Sequence, residues 1–451
     1  MQDKCAVFGI KSDTSVFNHV YYGLYSMQHR GQESAGIAVD NDGIRVHKGM
    51  GLVSEVFRNI LLEGNVGIGH VRYSTEGGSK IENAQPLYIS YSGGSFALAH
   101  NGQILNHAEL KKKLEDKGNI FTTSSDTEVI AQIIVQEHLN TGDFVEGIKM
   151  AMKELIGSYS LVILYDGKLI AVRDPHGIRP LVYGRLGEGH VFASESCALD
   201  VVGAKLERDV KPAEIIVVDD TVKSYHGNRE NTSHCMFEYV YFSRPDSIIN
   251  DVSVYNVRKN LGKTLAKESS VKADIVTPVP DSGITAAIGY SEASGISYSE
   301  ALIKNRYIGR TFILPEQNQR DVSVKVKLNP IASEINGKKL VLVDDSIVRG
   351  TTQKRLIRLL KSTGAKEVHV RISCPPVKHT CPYGIDMQTS EEFIASKKTV
   401  EQISKEIGAD SLSYISLHGL VTSIGLPADK LCLACLTGNY PVKEKQTKLV
   451  G

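Results

Sequence analysis

An excess of charge of one sign is nearly absent from this 451-residue chain: Lys plus Arg number 52 and Asp plus Glu 51, a net charge of +1. So even a balance gives no general attraction to nucleic acid or to an anionic membrane, and neither is expected as a partner. Long hydrophobic runs are missing too. None approaches the roughly 18 residues of a membrane span, and Met1-Gln2-Asp3-Lys4 leads into an apolar segment too short for a secretory signal. Cysteine is scarce, with seven residues at positions 5, 197, 235, 374, 381, 432 and 435. An odd, scattered set in a chain this long is not a disulfide framework; in a reducing compartment catalysis or metal binding explains it better. There is no internal repeat and no low-complexity tract. What remains is ordinary globular composition, 41% hydrophobic and 23% charged, long enough at about 150 residues per domain for two or three cores. The chain reads as cytoplasmic.

Two rhythms divide it. Up to about residue 225, short strands alternate with turns. Gly36–Asp40 and Gly43–His47 flank a turn containing Asp42-Gly43, a hairpin pattern. Further strands are expected at Val66–Val71, Phe96–His100, Ser160–Tyr165, Lys168–Arg173 and Glu214–Val218, with helices at Asn18–Gln28, Thr127–Glu137 and Phe144–Leu155. Tyr225 to Ser233 is polar and unpatterned, as an interdomain linker is. Beyond it the order becomes strand–helix–strand. Ala273–Pro278 precedes a helix Thr285–Ser294, and Leu340–Asp345 precedes a helix Gln353–Ser362 closed by Gly364, with Glu367–Ser373 the next strand. That alternation predicts a parallel sheet covered on both faces. The domains expected are 5–230 and 231–441, with a loose basic tail at 442–451.

The most specific stretch is Leu340-Val341-Leu342-Val343-Asp344-Asp345-Ser346-Ile347-Val348-Arg349-Gly350-Thr351-Thr352. An apolar run ends in two carboxylates, followed by a hydroxyl- and glycine-bearing loop and a helical pattern. That order puts acids and free backbone N–H groups at the carboxyl end of a strand, where open α/β sheets bind ligands. Loop amides and a helix N-terminus favour a phosphate, and paired aspartates accept hydrogen bonds from vicinal hydroxyls. Together they describe a ribose phosphate. Strand-end acids alone often only cap the next helix, but Ser346, Gly350, Thr351 and Thr352 all suit close approach of an oxyanion. The segment resembles the signature of type I phosphoribosyltransferases, which bind phosphoribosyl pyrophosphate (PRPP), and the resemblance extends to Arg349.

Two more segments fit that ligand. Pro278-Val279-Pro280-Asp281-Ser282-Gly283 follows a strand and offers a tight loop for pyrophosphate. Lys304-Asn305-Arg306-Tyr307-Ile308-Gly309-Arg310 places three cations in seven residues. Such a run is usually a solvated loop; beside a pyrophosphate site it reads as a flap that neutralises the leaving group and excludes water. Both resemble the pyrophosphate and flexible loops of the glutamine PRPP amidotransferases, as does Lys327. The resemblance implies Mg²⁺ held with Ser282, Asp344 and Asp345.

Cys5 opens the first apolar segment, and after it come His29-Arg30-Gly31-Gln32, Gly69-His70-Val71-Arg72-Tyr73-Ser74-Thr75, His100-Asn101-Gly102 and Ser124-Ser125-Asp126. In this order they resemble glutamine amidotransferases of the N-terminal-nucleophile class, so the likeness covers nearly the whole chain. It implies a four-layer αββα sandwich followed by a type I phosphoribosyltransferase fold. A thiol at a free N-terminus can use its own α-amino group as general base. By the resemblance, Cys5 attacks the glutamine amide, Asn101 and Gly102 form the oxyanion hole, and Arg72 and Asp126 hold the α-carboxylate and α-ammonium groups. Arg30 and Gly31 line the pocket, and His29, His70 and His100 are read as structural. Met1–Lys4 precede Cys5, so this leader is expected to be removed.

Cys432-Leu433-Ala434-Cys435 is a C-x-x-C pair open to redox, zinc or iron–sulfur readings. With Cys235 and Cys381 it resembles the ligand set of the 4Fe-4S form of these amidotransferases, a staple between domains with no redox task. Cys197 and Cys374 are read as core residues. The family also implies glutamine and PRPP as substrates, purine nucleotides as feedback inhibitors and a homotetramer or dimer. Two rivals remain. A glucosamine-phosphate synthase would share the first domain but needs sugar-isomerase modules; a PRPP-sensing repressor would want a basic DNA-binding face.

Overall fold

The computed structural model describes residues 5–73, 79–228, 230–305, 328–385 and 393–442. Two antiparallel sheets occupy the first half. One has seven strands in the order Lys205–Asp209, Val182–Leu186, Gly189–Ala193, Ala6–Lys11, Val66–Arg72, Ser34–Asp40 and Ile44–Met50. The other has six, in the order Val222–His226, Glu214–Val218, Lys168–Arg173, Gly157–Tyr165, Gly94–Ile104 and Leu87–Tyr91. Val7, Ile68, Ala99, Val162 and Phe192 fill the layer between them. The helices Phe17–Ser26 and Ser196–Val202 cover the outer face of the first sheet, and Asp126–Thr141 and Phe144–Glu154 that of the second. This is the αββα sandwich. A strand in its middle is buried on both sides, which is why Val66–Arg72 has no exposed residue and no polar alternation.

In the second half a four-stranded parallel sheet runs Ile275–Pro278, Lys339–Asp344, Glu367–Ile372, Ser411–Tyr414. The helices Val254–Glu268, Ile284–Ser294 and Leu417–Ile424 pack on one face. Thr351–Ser362 and Val400–Ile407 pack on the other through Leu356, Ile357, Leu360, Ile403 and Ile407. Both faces are covered, as the strand–helix alternation predicts.

Most expected elements form, several with shifted ends. The hairpin closes through Asp42 and Gly43 at φ 53° and 136°. The strand expected at Phe96–His100 continues to Ile104, so Asn101 and Gly102 lie inside a paired strand, opposite Ser160 and Tyr159. Tyr225 and His226, expected in a linker, belong to Val222–His226 and pair with Ile215 and Glu214. It is an edge strand and mostly exposed, so no apolar alternation marks it. The helix Val254–Glu268 went unread although Val254, Val257, Leu261 and Leu265 form its buried stripe. None of the seven cysteines forms a disulfide. Among the described residues no helix is long and apolar enough to cross a membrane.

Candidate active sites

Cys5 stands directly before Ala6–Lys11, whose pairing sets Ala6 opposite Val71 and so brings the end of Val66–Arg72 alongside. Its Sγ is 4.0 Å from the Tyr73 carbonyl oxygen, and its φ is 42°. Gly31 lies against the same strand: a Cβ there would stand 2.6 Å from Arg72 N, so only glycine allows the approach. Arg72 is buried and donates to Glu33 at 3.2 Å. Asn101 is fully buried, and its Nδ2 donates at 3.2 Å to Ser194 Oγ, which also accepts from Val7 N at 3.0 Å. Through Ser194 the strand of Asn101 is tied to the strand that Cys5 begins. Gly102 has φ 154°, and a Cβ there would meet the Ser158 carbonyl at 2.0 Å. Asp126 heads the helix Asp126–Thr141 behind the N-cap Ser125, and accepts from Ile104 N at 3.0 Å. Arg72, Asn101 and Gly102 thus sit on strands of the two facing sheets, Cys5 directly before one, Gly31 on a turn packed against one, and Asp126 at the start of the helix Asp126–Thr141.

Arg30, expected to line the pocket near the nucleophile, lies against Cys5. Its Nε donates to the Cys5 carbonyl at 3.3 Å, while Nη1 and Nη2 are taken by Glu195 at 2.6 Å and by Glu238 at 2.9 and 2.7 Å. The guanidinium holds the Cys5 carbonyl while four of its five N–H groups are taken by that carbonyl, Glu195 and Glu238. Burial works to raise the Glu195 carboxyl, but His29 and Arg30 outweigh it and hold it well below the usual carboxylate range. Burial opposes and Arg30 drives the same downward shift of Glu238. His70 is pushed down to about 3 by burial, with its Nε2 on the His100 carbonyl at 2.9 Å, and burial lowers His100 too. All three histidines read as structural are held in place; His29 is on Glu195 at 2.8 Å.

At the second site Asp344 ends its strand and Asp345 begins the loop, both nearly buried. Asp344 accepts from Asp345 N at 2.9 Å, from Ser282 Oγ at 3.4 Å and from Gln353 Nε2. Ser346 Oγ donates to Asp345. Burial, then repulsion by Asp345, raises the Asp344 carboxyl well above its ordinary value. A divalent cation would relieve that conflict, and two carboxylates with a hydroxyl leave room for ligand and water oxygens, as magnesium prefers. Gly350, at φ 74°, turns the chain into the helix Thr351–Ser362, with Arg349, Thr351 and Thr352 exposed at its mouth. Gly283 packs the pyrophosphate loop on this strand, since a Cβ would lie 2.4 Å from the Val343 carbonyl. Lys304 pairs with Asp281 at 2.6 Å beside a cavity of about 450 Å³ bounded by Pro278, Pro280, Ile284 and Asn329. Leu302–Lys304 and Leu328–Pro330 form a two-stranded stem. Arg306, Tyr307, Arg310 and Lys327 fall outside the described residues, as does the Met1–Lys4 leader.

Cys235, Cys381, Cys432 and Cys435 converge on one chamber, closed by Ile178, Arg179, Tyr383, Ile385 and Ala434. The parallel pairing of His234–Cys235 with Leu431–Cys432 sets Cys235 opposite Cys432. Burial pushes the Cys235 and Cys432 thiols up, and Arg179 acts against it. Among the described residues no three His, Cys, Asp or Glu side chains gather for a single metal ion. Four thiols spread around a chamber instead suit a larger, multinuclear group. Cys197 and Cys374 are core residues, buried and lining neither site.

Sequence reasoning missed the groups that hold the sites in place. Glu195, Glu238, Ser194, Gln353 and Arg179 belong to no local motif; their only signal is burial. Arg258 is another: it is buried, donates to Tyr239 O at 3.0 Å and Ser243 O at 2.7 Å, and carries the charge that Asp345 acts upon. It ties the helix Val254–Glu268 to the turn that carries Glu238, and the Asp345 carboxylate favours its charged form.

Two family profiles match the chain. One described as a glutamine amidotransferase domain matches residues 70–201, and one described as a phosphoribosyl transferase domain matches 253–396. Fold and site together define a glutamine-dependent phosphoribosyl transferase. The amidophosphoribosyltransferases of Methanocaldococcus jannaschii and Bacillus subtilis are 51% and 50% identical over 99% and 98% of this chain and 99% and 95% of their own. A solved glutamine PRPP amidotransferase from B. subtilis, complexed with ADP and GMP, superposes with a TM-score of 0.93 at 49% identity, covering 98% of both chains. The chain belongs to the amidophosphoribosyltransferase family. It is a pentosyltransferase that takes nitrogen from glutamine and places it on PRPP, giving 5-phosphoribosylamine, glutamate and pyrophosphate in purine biosynthesis.

Proposed function

We propose that Cys5, freed by removal of Met1–Lys4, is the glutaminase nucleophile and that the Asp344–Thr352 loop binds the PRPP which receives the ammonia. The observation that carries this is the joining of Cys5 to both halves, through Arg30 to Glu238 and through Val7 and Ser194 to Asn101. The Cys5 α-amino group would take the thiol proton, and the thiolate would attack the glutamine amide to form a glutamyl thioester. The oxyanion falls to Gly102 N–H and the Asn101 amide, a role worth roughly 3–4 kcal/mol for one donor. Ser194 Oγ already accepts from Val7 N, so its own proton is free. With the Asn101 amide turned over, that proton satisfies Oδ1, which otherwise has no partner, and both Nδ2 protons face the substrate. Arg72 would bind the α-carboxylate as a planar fork, and Asp126 the α-ammonium group. Water then cleaves the thioester.

The ammonia would cross a dry interior to the anomeric carbon, since water would protonate it to ammonium. Ser346, Gly350, Thr351 and Thr352 would hold the 5-phosphate, Asp344 and Asp345 the ribose hydroxyls, and the Ser282 loop, Lys304, Arg306, Tyr307, Arg310 and Lys327 the departing pyrophosphate. Magnesium, when bound, supplies charge neutralisation there. The four-cysteine chamber would hold a 4Fe-4S cluster as a staple between domains. Purine nucleotides would act as feedback inhibitors of a homo-oligomeric, cytoplasmic enzyme; the B. subtilis relative's complex with ADP and GMP supports the binding of such nucleotides. The test is a product assay of Cys5→Ala and Asp344→Asn. The first should lose glutamine use and keep ammonia-dependent synthesis; the second should impair both. Glutamine use surviving in Cys5→Ala would end the proposal.

A further inference from the structure

We propose that Arg179 is a positioning residue that ties the contents of the four-cysteine chamber to the glutaminase nucleophile, an inference that rests on the cluster reading above. Its side chain is fully buried, and it uses only one of its three nitrogens: Nη1 donates to Glu238 at 3.2 Å. Nε and Nη2 are buried and have no hydrogen-bond partner among the described residues. Two unsatisfied donors on a buried cation are costly, and an occupant must explain them. Water is a poor candidate, because it needs two to four polar partners and the chamber's other walls are Ile178, Tyr383, Ile385 and Ala434. A sulfur-rich anionic group held by Cys235, Cys381, Cys432 and Cys435 would satisfy both donors. Hydrogen bonds to such sulfurs are a recognised way of tuning the group.

The other side of Arg179 faces the chemistry. Glu238, which it holds, takes two hydrogen bonds from Arg30, and Arg30 holds the Cys5 carbonyl. Nη2 also lies 3.0 Å from where a Gly384 side chain would begin, and Gly384 sits on the Gly102 carbonyl carbon at 3.1 Å by the same measure. A loaded chamber fixes the guanidinium, and the guanidinium fixes both the nucleophile's brace and the neighbour of the oxyanion glycine. With the chamber empty, Arg179 has two donors to place elsewhere and the brace loosens.

Two measurements test this on anaerobically purified full-length protein. Reduced holoenzyme labelled with ¹⁵N-arginine should show a weak ¹⁵N coupling by pulsed EPR, lost in Arg179→Lys. An iron-containing protein without that coupling overturns the inference and leaves the cluster reading intact; an unaltered protein without iron overturns both. Second, Arg179→Lys should lower glutamine-dependent kcat roughly 10-fold, the lower end for outer-shell partners, while ammonia-dependent synthesis stays within twofold. Equal loss of both activities, or of neither, sinks the coupling. If the Lys variant does not fold, Arg179→Gln, which keeps one NH2 group, takes its place in both measurements, and ammonia-dependent synthesis reports its folding.

Discussion

Replacing Glu238 by Gln tests how the two halves are fastened. The carboxylate accepts from Arg30 at 2.9 and 2.7 Å, from Arg179 at 3.2 Å and from Ser243 at 2.6 Å, all in the interior. Glu195 and Glu238 balance Arg30 and Arg179, so the change leaves one buried positive charge without a partner. Breaking a buried pair in this way costs about 3–5 kcal/mol. At about 2–4 °C per kcal/mol for a domain of this size, the melting temperature should fall by roughly 6–20 °C. Glutamine-dependent synthesis should fall as well, because Arg30 no longer holds the Cys5 carbonyl in register. Calorimetry and paired glutamine and ammonia assays measure both. The double change Arg30→Met with Glu238→Met removes one charge of each sign. It should not restore the stability, because Arg179 then loses the carboxylate that accepts from it and Glu195 loses Arg30, and glutamine use stays lost. A Glu238→Gln protein that melts within about 2 °C of the original and uses glutamine normally would refute the reasoning.

Three shorter predictions follow from the same geometry. His70 is held near 3 by burial against an ordinary 6.5. Between those values the unfolded chain binds a proton that the folded one refuses, so stability drops as pH falls through that window, by on the order of 2 kcal/mol at pH 5. His70→Gln should flatten the melting temperature between pH 7 and pH 5; an unchanged slope argues against it. Asp344 is raised well above its ordinary value by burial and by Asp345, so its share of stability is present at low pH and is lost as pH rises through the raised value. Magnesium with PRPP should therefore raise the melting temperature more at pH 8 than at pH 5, and Asp344→Asn should remove the difference. Gly102→Ala would force its Cβ on the Ser158 carbonyl at 2.0 Å. If it displaces the oxyanion donor, glutamine-dependent kcat should fall about 10²–10³-fold with ammonia-dependent synthesis retained.

The chemistry was legible wherever it lies in contiguous residues. The Asp344–Thr352 loop is a strand end, a turn and a helix start within thirteen positions, and a phosphate site needs little beyond that local order. Cys5, Asn101 and Asp126 were named because motifs mark them, and the strand–helix alternation predicted the parallel sheet. The exposed edge strand Val222–His226 escaped because it buries too little to leave a periodic trace. The helix Val254–Glu268 carries its apolar stripe but was passed over between stronger signals.

By itself, then, the sequence determined the two-domain class and the local shapes that display its candidate side chains, since short-range hydrogen bonding and apolar periodicity are written in neighbouring residues. Tertiary structure alone decided that Arg30 holds the Cys5 carbonyl, that Glu195 and Glu238 share it, and that Arg179 lines the thiol chamber while donating to Glu238. Those partners lie 25, 165, 208 and 59 positions apart. A buried charge takes its meaning from whatever the fold sets against it, and no local pattern records that choice.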